Sequence, residues 1–351
     1  MDIKEFERKA VESALFSAPV MGTDLDTFLK DKGNLIKSLA KSAIEEKVEH
    51  IYWVGAGNSR VNLLPGKELT DRFTNIPSDC YTSYEFIWRT PERLGNKSWV
   101  FLASYSGATE DTVEALRFAN EKDAKTIVFV NKADSLMGKE ADVALDFNSK
   151  ALYILPMAGV FLFVMEIARL LGDSDAANLI RDVYKLPDFL AKQYAKEKDH
   201  CRQLADSFKE QELIYTLGCN TLAGIAYKFG LTVFMENMRV NGSYIETSEF
   251  RHGPAEMLDH HKPAFVLLMA DDESREICER VKGLLEREEV PLIVFDAKDY
   301  PFHSLFASFV LMIPLQWFAV YSTYHRGIYD LDERALMGHG IMSQGKGVTW
   351  P

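Results

Sequence analysis

Two stretches of this chain repeat each other, and the repeat constrains the fold more than any other feature. Ile51-Tyr52-Trp53-Val54-Gly55 returns as Ile214-Tyr215-Thr216-Leu217-Gly218, and the segments downstream of each run recur in the same order. The apolar run 99–103 has its counterpart in 265–269, and Lys125–Val130 in 292–295. Leu155-Pro156 before one apolar helix is echoed by Ile313-Pro314 before another. Further short runs at 80–82 and 143–147 read as strands. Runs of β-branched and aromatic residues that alternate with helical patterns make parallel strands joined by crossover helices. The expected fold is therefore α/β: two tandem doubly wound αβα units with parallel sheets, each unit about 160 residues long.

The length of 351 residues suits two such cores. The expected organisation is N-terminal helices over 1–40, a first unit over 41–172, a polar helical linker over 173–210, a second unit over 211–325 and a tail over 326–351. The apolar runs 151–171 and 305–321 are interrupted by Pro156 and Pro314, and the first also carries Glu166 and Arg169. Their unbroken cores fall short of the ~20 residues a membrane span requires, so they read as buried helices. The charged, helical start is unlike a signal peptide. A net charge of −12 disfavours nucleic acid and anionic membrane as partners, because either needs a basic face.

Cys80, Cys201, Cys219 and Cys278 are scattered without metal-type spacing, which fits a reducing, cytoplasmic setting. Cys219, after Gly218, reads as a small buried thiol rather than a nucleophile. His260 and His261 are adjacent and cannot both face one ion from a regular element, so no metal site is expected. Gly55-Ala56-Gly57-Asn58-Ser59 falls short of the dinucleotide fingerprint GxGxxG, and no cofactor is expected.

Ser104-Tyr105-Ser106-Gly107-Ala108-Thr109 closes the 99–103 strand and leads into a helix. Ligands of open parallel sheets bind at the carboxyl ends of strands. Hydroxyls in a glycine turn, followed by the free N–H groups of a helix start, can hold a phosphate without lysine. Any tight turn and N-cap would use the same residues. In the second repeat this loop is replaced by Ala270-Asp271-Asp272-Glu273-Ser274, whose acids would repel phosphate.

The stretch 235–254, MENMRVNGSYIETSEFRHGP, is the candidate reaction centre. Glu236 extends a helical stripe of Leu222, Ile225, Phe229 and Val233. A carboxylate at an apolar stripe loses water, which makes it a candidate proton carrier. Asn241-Gly242 is expected to break the helix, and the returning chain brings His252 toward Glu236. Residue types alone favour a partly solvated glutamate on a helix and a loop histidine that caps a turn.

GSYIETSEFRHGP resembles the E-[LF]-[KR]-H-G-P segment of sugar-isomerase (SIS) domains, where a catalytic Glu also lies sixteen residues before the motif His. It is most similar to SIS-family deglycases of phosphorylated Amadori products such as fructoselysine 6-phosphate. They share the MEx…IE(T/S)xEFRHGP pattern, a DDES-like loop and an Asp-Glu-Arg near the end. The resemblance implies flavodoxin-like SIS domains, with Glu236 and His252 catalytic and Ser104, Ser106 and Thr109 on the substrate phosphate. It also implies that Gly57, Asn58 and Ser59 border the sugar, that Glu249 and Arg251 shape the site or anchor substrate, and that the protein is a homodimer or larger homo-oligomer. The synthase branch carries Arg-x-x-x-Lys near its end, whereas the position four after Arg334 here is Gly338 and Lys346 lies farther on. That departure favours a deglycase over a phosphosugar isomerase or an ammonia-dependent synthase. A non-catalytic sugar-phosphate sensor would need a partner module, for which the first 40 residues are too short.

Overall fold

The computed structural model describes residues 1–333. Its first sheet contains β1 His50–Gly55, β2 Ser78–Thr82, β3 Ser98–Ser104, β4 Lys125–Val130 and β5 Val143–Asp146, in the order β2-β1-β3-β4-β5. The second contains β6 Leu213–Gly218, β7 Asn241–Glu246, β8 Ala264–Met269 and β9 Leu292–Asp296, in the order β7-β6-β8-β9. Every pairing is parallel. Every residue of β1, β3 and β8 is buried, as expected for strands covered on both faces and written as continuous apolar runs. In each sheet the chain enters mid-sheet, moves to one edge and crosses back, which puts a topological switch point beside β1 and β3, and again beside β6 and β8. The α/β class and the repeated parallel sheets read from the sequence are those observed.

The chain divides into two compact units, one over residues 20–188 and the other over residues 1–19 and 189–332. The helix Ile3–Glu12 thus joins the unit of the second sheet and the helix Met21–Glu45 that of the first. Within its unit Met21–Glu45 packs on the helix Leu155–Leu170, which is buried from Leu155 to Ala168. In the other unit the Tyr321 hydroxyl and the Lys198 ammonium both donate to Glu7, at 2.8 and 2.7 Å. Ser304–His325 is long and apolar enough to cross a membrane by length and composition, but 94% of its most apolar 18-residue window is buried inside the protein.

Two departures from expectation bear on function. Asn241 and Gly242 do not break a helix; they open the edge strand β7, and the helical run stops earlier, at Glu236. That run is also not a uniform α-helix, because Lys228–Val233 is a π turn. Both have one cause. A Cβ on Gly242 would overlap the carbonyl oxygen of Gly230, and a Cβ on Gly230 would lie 2.7 Å from Thr216 Oγ1. With glycine at both positions, strand and π turn approach backbone to backbone. Single π turns inside helices recur at functional sites, because they re-aim the side chains beyond them.

Candidate active site

In the first unit the residues expected to hold phosphate converge. Ser104, the last residue of β3, is buried, and its Oγ lies 2.8 Å from Thr109 Oγ1. Ser106 Oγ lies 3.4 Å from the same Thr109 oxygen. The turn that gathers them is held by its own amides: Gly107 N–H donates to Ser104 Oγ at 3.1 Å and Ala108 N–H to Ser106 Oγ at 3.2 Å. Gly107 has a φ of +61°, and its carbonyl accepts from Met137 N–H at 2.9 Å. Only glycine adopts that left-handed conformation without strain. Thr109 is the N-cap of the helix Glu110–Glu121, yet its side chain makes no capping bond. Its hydroxyl faces the cluster, and the helix start supplies free N–H groups beside it.

Gly55 of β1 pairs with Ala103 of β3, so the Gly55–Ser59 segment borders the hydroxyl cluster. Gly57, Asn58 and Ser59 form the first turn of the helix Gly57–Phe73. Gly57 is exposed with φ +49°, and Asn58 and Ser59 are half-buried. The chain rises straight from strand into helix because left-handed Gly57 makes the turn in one residue.

In the second unit the apolar stripe lies inside: Leu222, Ile225, Phe229 and Val233 are all buried. Glu236 ends the run half-buried, next to the exposed Met235. The wall expected behind the carboxylate exists, and Glu236 sits at its rim. Gly230, six residues earlier, locks this segment against β7.

The end of β7 leads into the turn bearing the other candidates. Glu246 caps the short 3-10 turn Thr247–Glu249, accepting from Ser248 N–H at 3.5 Å and from its hydroxyl at 3.2 Å. The Tyr244 hydroxyl donates to the other Glu246 oxygen at 2.8 Å. Phe250 is fully buried and anchors the turn in the core with Leu258 and Phe265. Gly253 at φ +135° then releases the chain into Pro254–Asp259. Glu249, Arg251 and His252 project from this framework and are exposed. Arg251 Nε donates to His252 Nε2 at 3.1 Å, so in this arrangement Nδ1 carries the imidazole hydrogen. Sequence reasoning missed the Tyr244–Glu246 support; the alternation in Ser-Tyr-Ile-Glu was its available signal.

Beyond the carboxyl ends of β6 and β8 the protein's own polar groups bond to one another. Asn220 Nδ2 donates to Asp272 at 3.2 Å, and the other Asp272 oxygen accepts from Ser274 N–H at 2.9 Å. Arg275 makes a two-pronged bond to Asp296, at 2.8 Å for each prong. Cys219 is buried 3.5 Å from the sulfur of Cys278. His260 and His261 are exposed, and no metal-type cluster of His, Cys, Asp and Glu occurs among the described residues. Arg334, Gly338 and Lys346 lie outside the described residues.

A parallel sheet with strand order 2-1-3-4-5, a serine-threonine loop at its switch point and a second parallel sheet that repeats the same order define a class. The SIS domain signature matches residues 45–171. The chain belongs to the SIS-domain family and, within it, to the branch of the phosphosugar deglycases. It is 32% identical to the fructosamine deglycase FrlB of Bacillus subtilis (strain 168), over 74% of this chain and 80% of that protein. It is 27% identical to the fructoselysine 6-phosphate deglycase of Escherichia coli (strain K12), over 91% of this chain and 94% of that protein. Among solved structures, a Bacillus subtilis protein described as a phosphosugar isomerase superposes with a TM-score of 0.73 at 29% identity, covering 80% of this chain and 89% of that one.

Proposed function

We propose that the enzyme cleaves a 6-phosphorylated fructosamine to glucose 6-phosphate and a free amino acid. The observation that carries this reading is the convergence of Ser104, Ser106 and Thr109 on one point at a helix start, in a chain similar to fructoselysine 6-phosphate deglycase along most of its length. Hydroxyl and amide donors bind a phosphate dianion without lysine, so a chain of net charge −12 can hold an anionic substrate locally. Gly57, Asn58 and Ser59 border the sugar, and Glu249 and Arg251 anchor it. His252 moves a proton between ring oxygen and anomeric hydroxyl to open the ring. Glu236 takes a proton from C1, giving the enaminol, and returns it to C2, giving an imine between C1 and the amine nitrogen. Water adds to that imine, and the C1–N bond breaks to release the amine and the aldehyde of glucose 6-phosphate. One carboxylate serves both carbons because they are adjacent. In this reading the enzyme works as a homodimer or larger homo-oligomer, in which the exposed His252 reaches the site of a neighbouring copy.

Incubation with fructoselysine 6-phosphate, and separately with fructose 6-phosphate plus ammonia, tests the proposal. Glucose 6-phosphate and lysine in equal amounts from the first reaction alone are expected. Product from fructose 6-phosphate alone would make the protein an isomerase or aminating enzyme, and silence in both would make it a binding protein.

A further inference from the structure

Cys219 and Cys278 come from different elements, fifty-nine residues apart, yet their sulfurs stand 3.5 Å from each other. Cys219 comes directly after the last residue of β6, and Cys278 sits in the first turns of the helix Arg275–Arg287. The other two thiols show what a packing cysteine looks like in this protein. Cys201 is fully buried and Cys80 half-buried; burial pushes both up, Cys80 to about 11. Cys219 is displaced the opposite way, first by the hydrogen bond from the Cys278 thiol. The bond to Cys219, and then burial, push Cys278 up. Ser274 also faces this sulfur, but its hydroxyl hydrogen is committed to Asp272 at 2.5 Å. The buried Thr247 hydroxyl has no other hydrogen-bond partner among the described residues and is left to face Cys219.

We propose that Cys219 and Cys278 are a peroxide-responsive dithiol whose closure to a disulfide draws in the junction beneath the 247–252 turn. The Cys219 thiolate attacks one oxygen of hydrogen peroxide; an S–O bond forms, the O–O bond breaks, and hydroxide leaves and is protonated to water. The Cys278 thiol gives up its proton and attacks the Cys219 sulfur; the S–S bond forms, the S–O bond breaks, and a second water leaves. Two thiols are oxidised by two electrons and one peroxide is reduced to two waters. Closure brings the sulfurs from 3.5 Å to about 2.05 Å, so the end of β6 and the helix Arg275–Arg287 draw together. That helix packs directly on Thr247–Glu249, the base of the turn that presents Glu249, Arg251 and His252. The bond itself is independent of the proposed reaction; an effect on turnover rests on it.

The test uses the full-length protein, treated with graded hydrogen peroxide, alkylated with iodoacetamide and mapped by mass spectrometry. A dithiothreitol-reversible link between the Cys219 and Cys278 peptides is expected at peroxide levels that leave Cys80 alkylatable. In Cys278→Ala the Cys219 sulfur should stop at a dimedone-reactive sulfenic acid, and in Cys219→Ser Cys278 should remain a free thiol. If both cysteines still alkylate after denaturation when Cys80 has been oxidised, the dithiol is refuted. Hydrogen exchange over 247–254, read on the linked protein, should slow several-fold; unchanged exchange refutes the coupling to the turn. Neither readout requires the deglycase reaction, so failure here is separate from failure of that proposal.

Discussion

Gly107→Ala isolates the geometry on which the proposed phosphate binding depends. At φ +61° an alanine in the left-handed region costs roughly 1–2 kcal/mol. Its Cβ would also stand 2.5 Å from the Ser135 Cβ, and closer still to the Ser135 hydroxyl. Ordinary carbon contacts are about 3.5–4.0 Å, so more than an ångström must open, at an overpacking cost of about 1–3 kcal/mol. Together the substitution should cost about 2–5 kcal/mol, carried by the turn that aligns Ser104, Ser106 and Thr109. Thermal unfolding measures the stability, and isothermal titration with glucose 6-phosphate should show at least about a tenfold loss of affinity, or about 1.4 kcal/mol. The two causes separate in a Ser135→Gly background, which removes the colliding atoms but leaves the backbone conformation. There Gly107→Ala should cost only the left-handed component. Equal cost in both backgrounds would refute the steric part, and unchanged stability and binding in the single variant would refute the reasoning entirely.

Burial outweighs the 2.9 Å contact with Asp79 and holds the His50 pKa below 6.5. Below pH 6.5 the unfolded chain therefore binds more protons at this position than the folded one, so the contribution is complete above pH 6.5 and is lost as pH falls through and below it. His50→Gln should accordingly show a smaller drop in melting temperature between pH 7.5 and pH 5.5 than the parent; an equal drop would clear His50. Tyr244→Phe removes a hydrogen bond to a carboxylate and should destabilise by about 1.5–3 kcal/mol, with faster hydrogen exchange confined to the 246–252 turn; exchange that rises uniformly would contradict the assigned role. Lys228 is fully buried, and burial holds its pKa well below the ordinary lysine range.

The strands were legible because burial on both faces wrote them as unbroken apolar runs, and because each run recurred in order in a second copy. Lys125–Val130 was readable to the residue. β7 was not, since an edge strand of Asn, Gly, Ser and Tyr lacks that signal and borrows its order from β6. The π turn before Glu236 depends on Gly230 meeting Gly242 across twelve residues of chain, a contact no local pattern announces. For the same reason the helical stripe pointed to a buried glutamate, whereas the run ends there and leaves Glu236 at the rim. The serine-threonine loop was legible as a motif, but its convergence on Thr109 is a property of the left-handed turn at Gly107. The approach of Cys219 to Cys278 was invisible because it joins a strand end to a helix that only the tertiary fold brings together.

The most direct test of the central claim is the turnover of fructoselysine 6-phosphate by Glu236→Gln beside the parent, with glucose 6-phosphate and lysine both quantified. A glutamine of the same shape cannot take the C1 proton, so turnover should fall by at least about a hundredfold while melting temperature and glucose 6-phosphate binding stay unchanged. Near-normal release of both products by the variant would contradict the account.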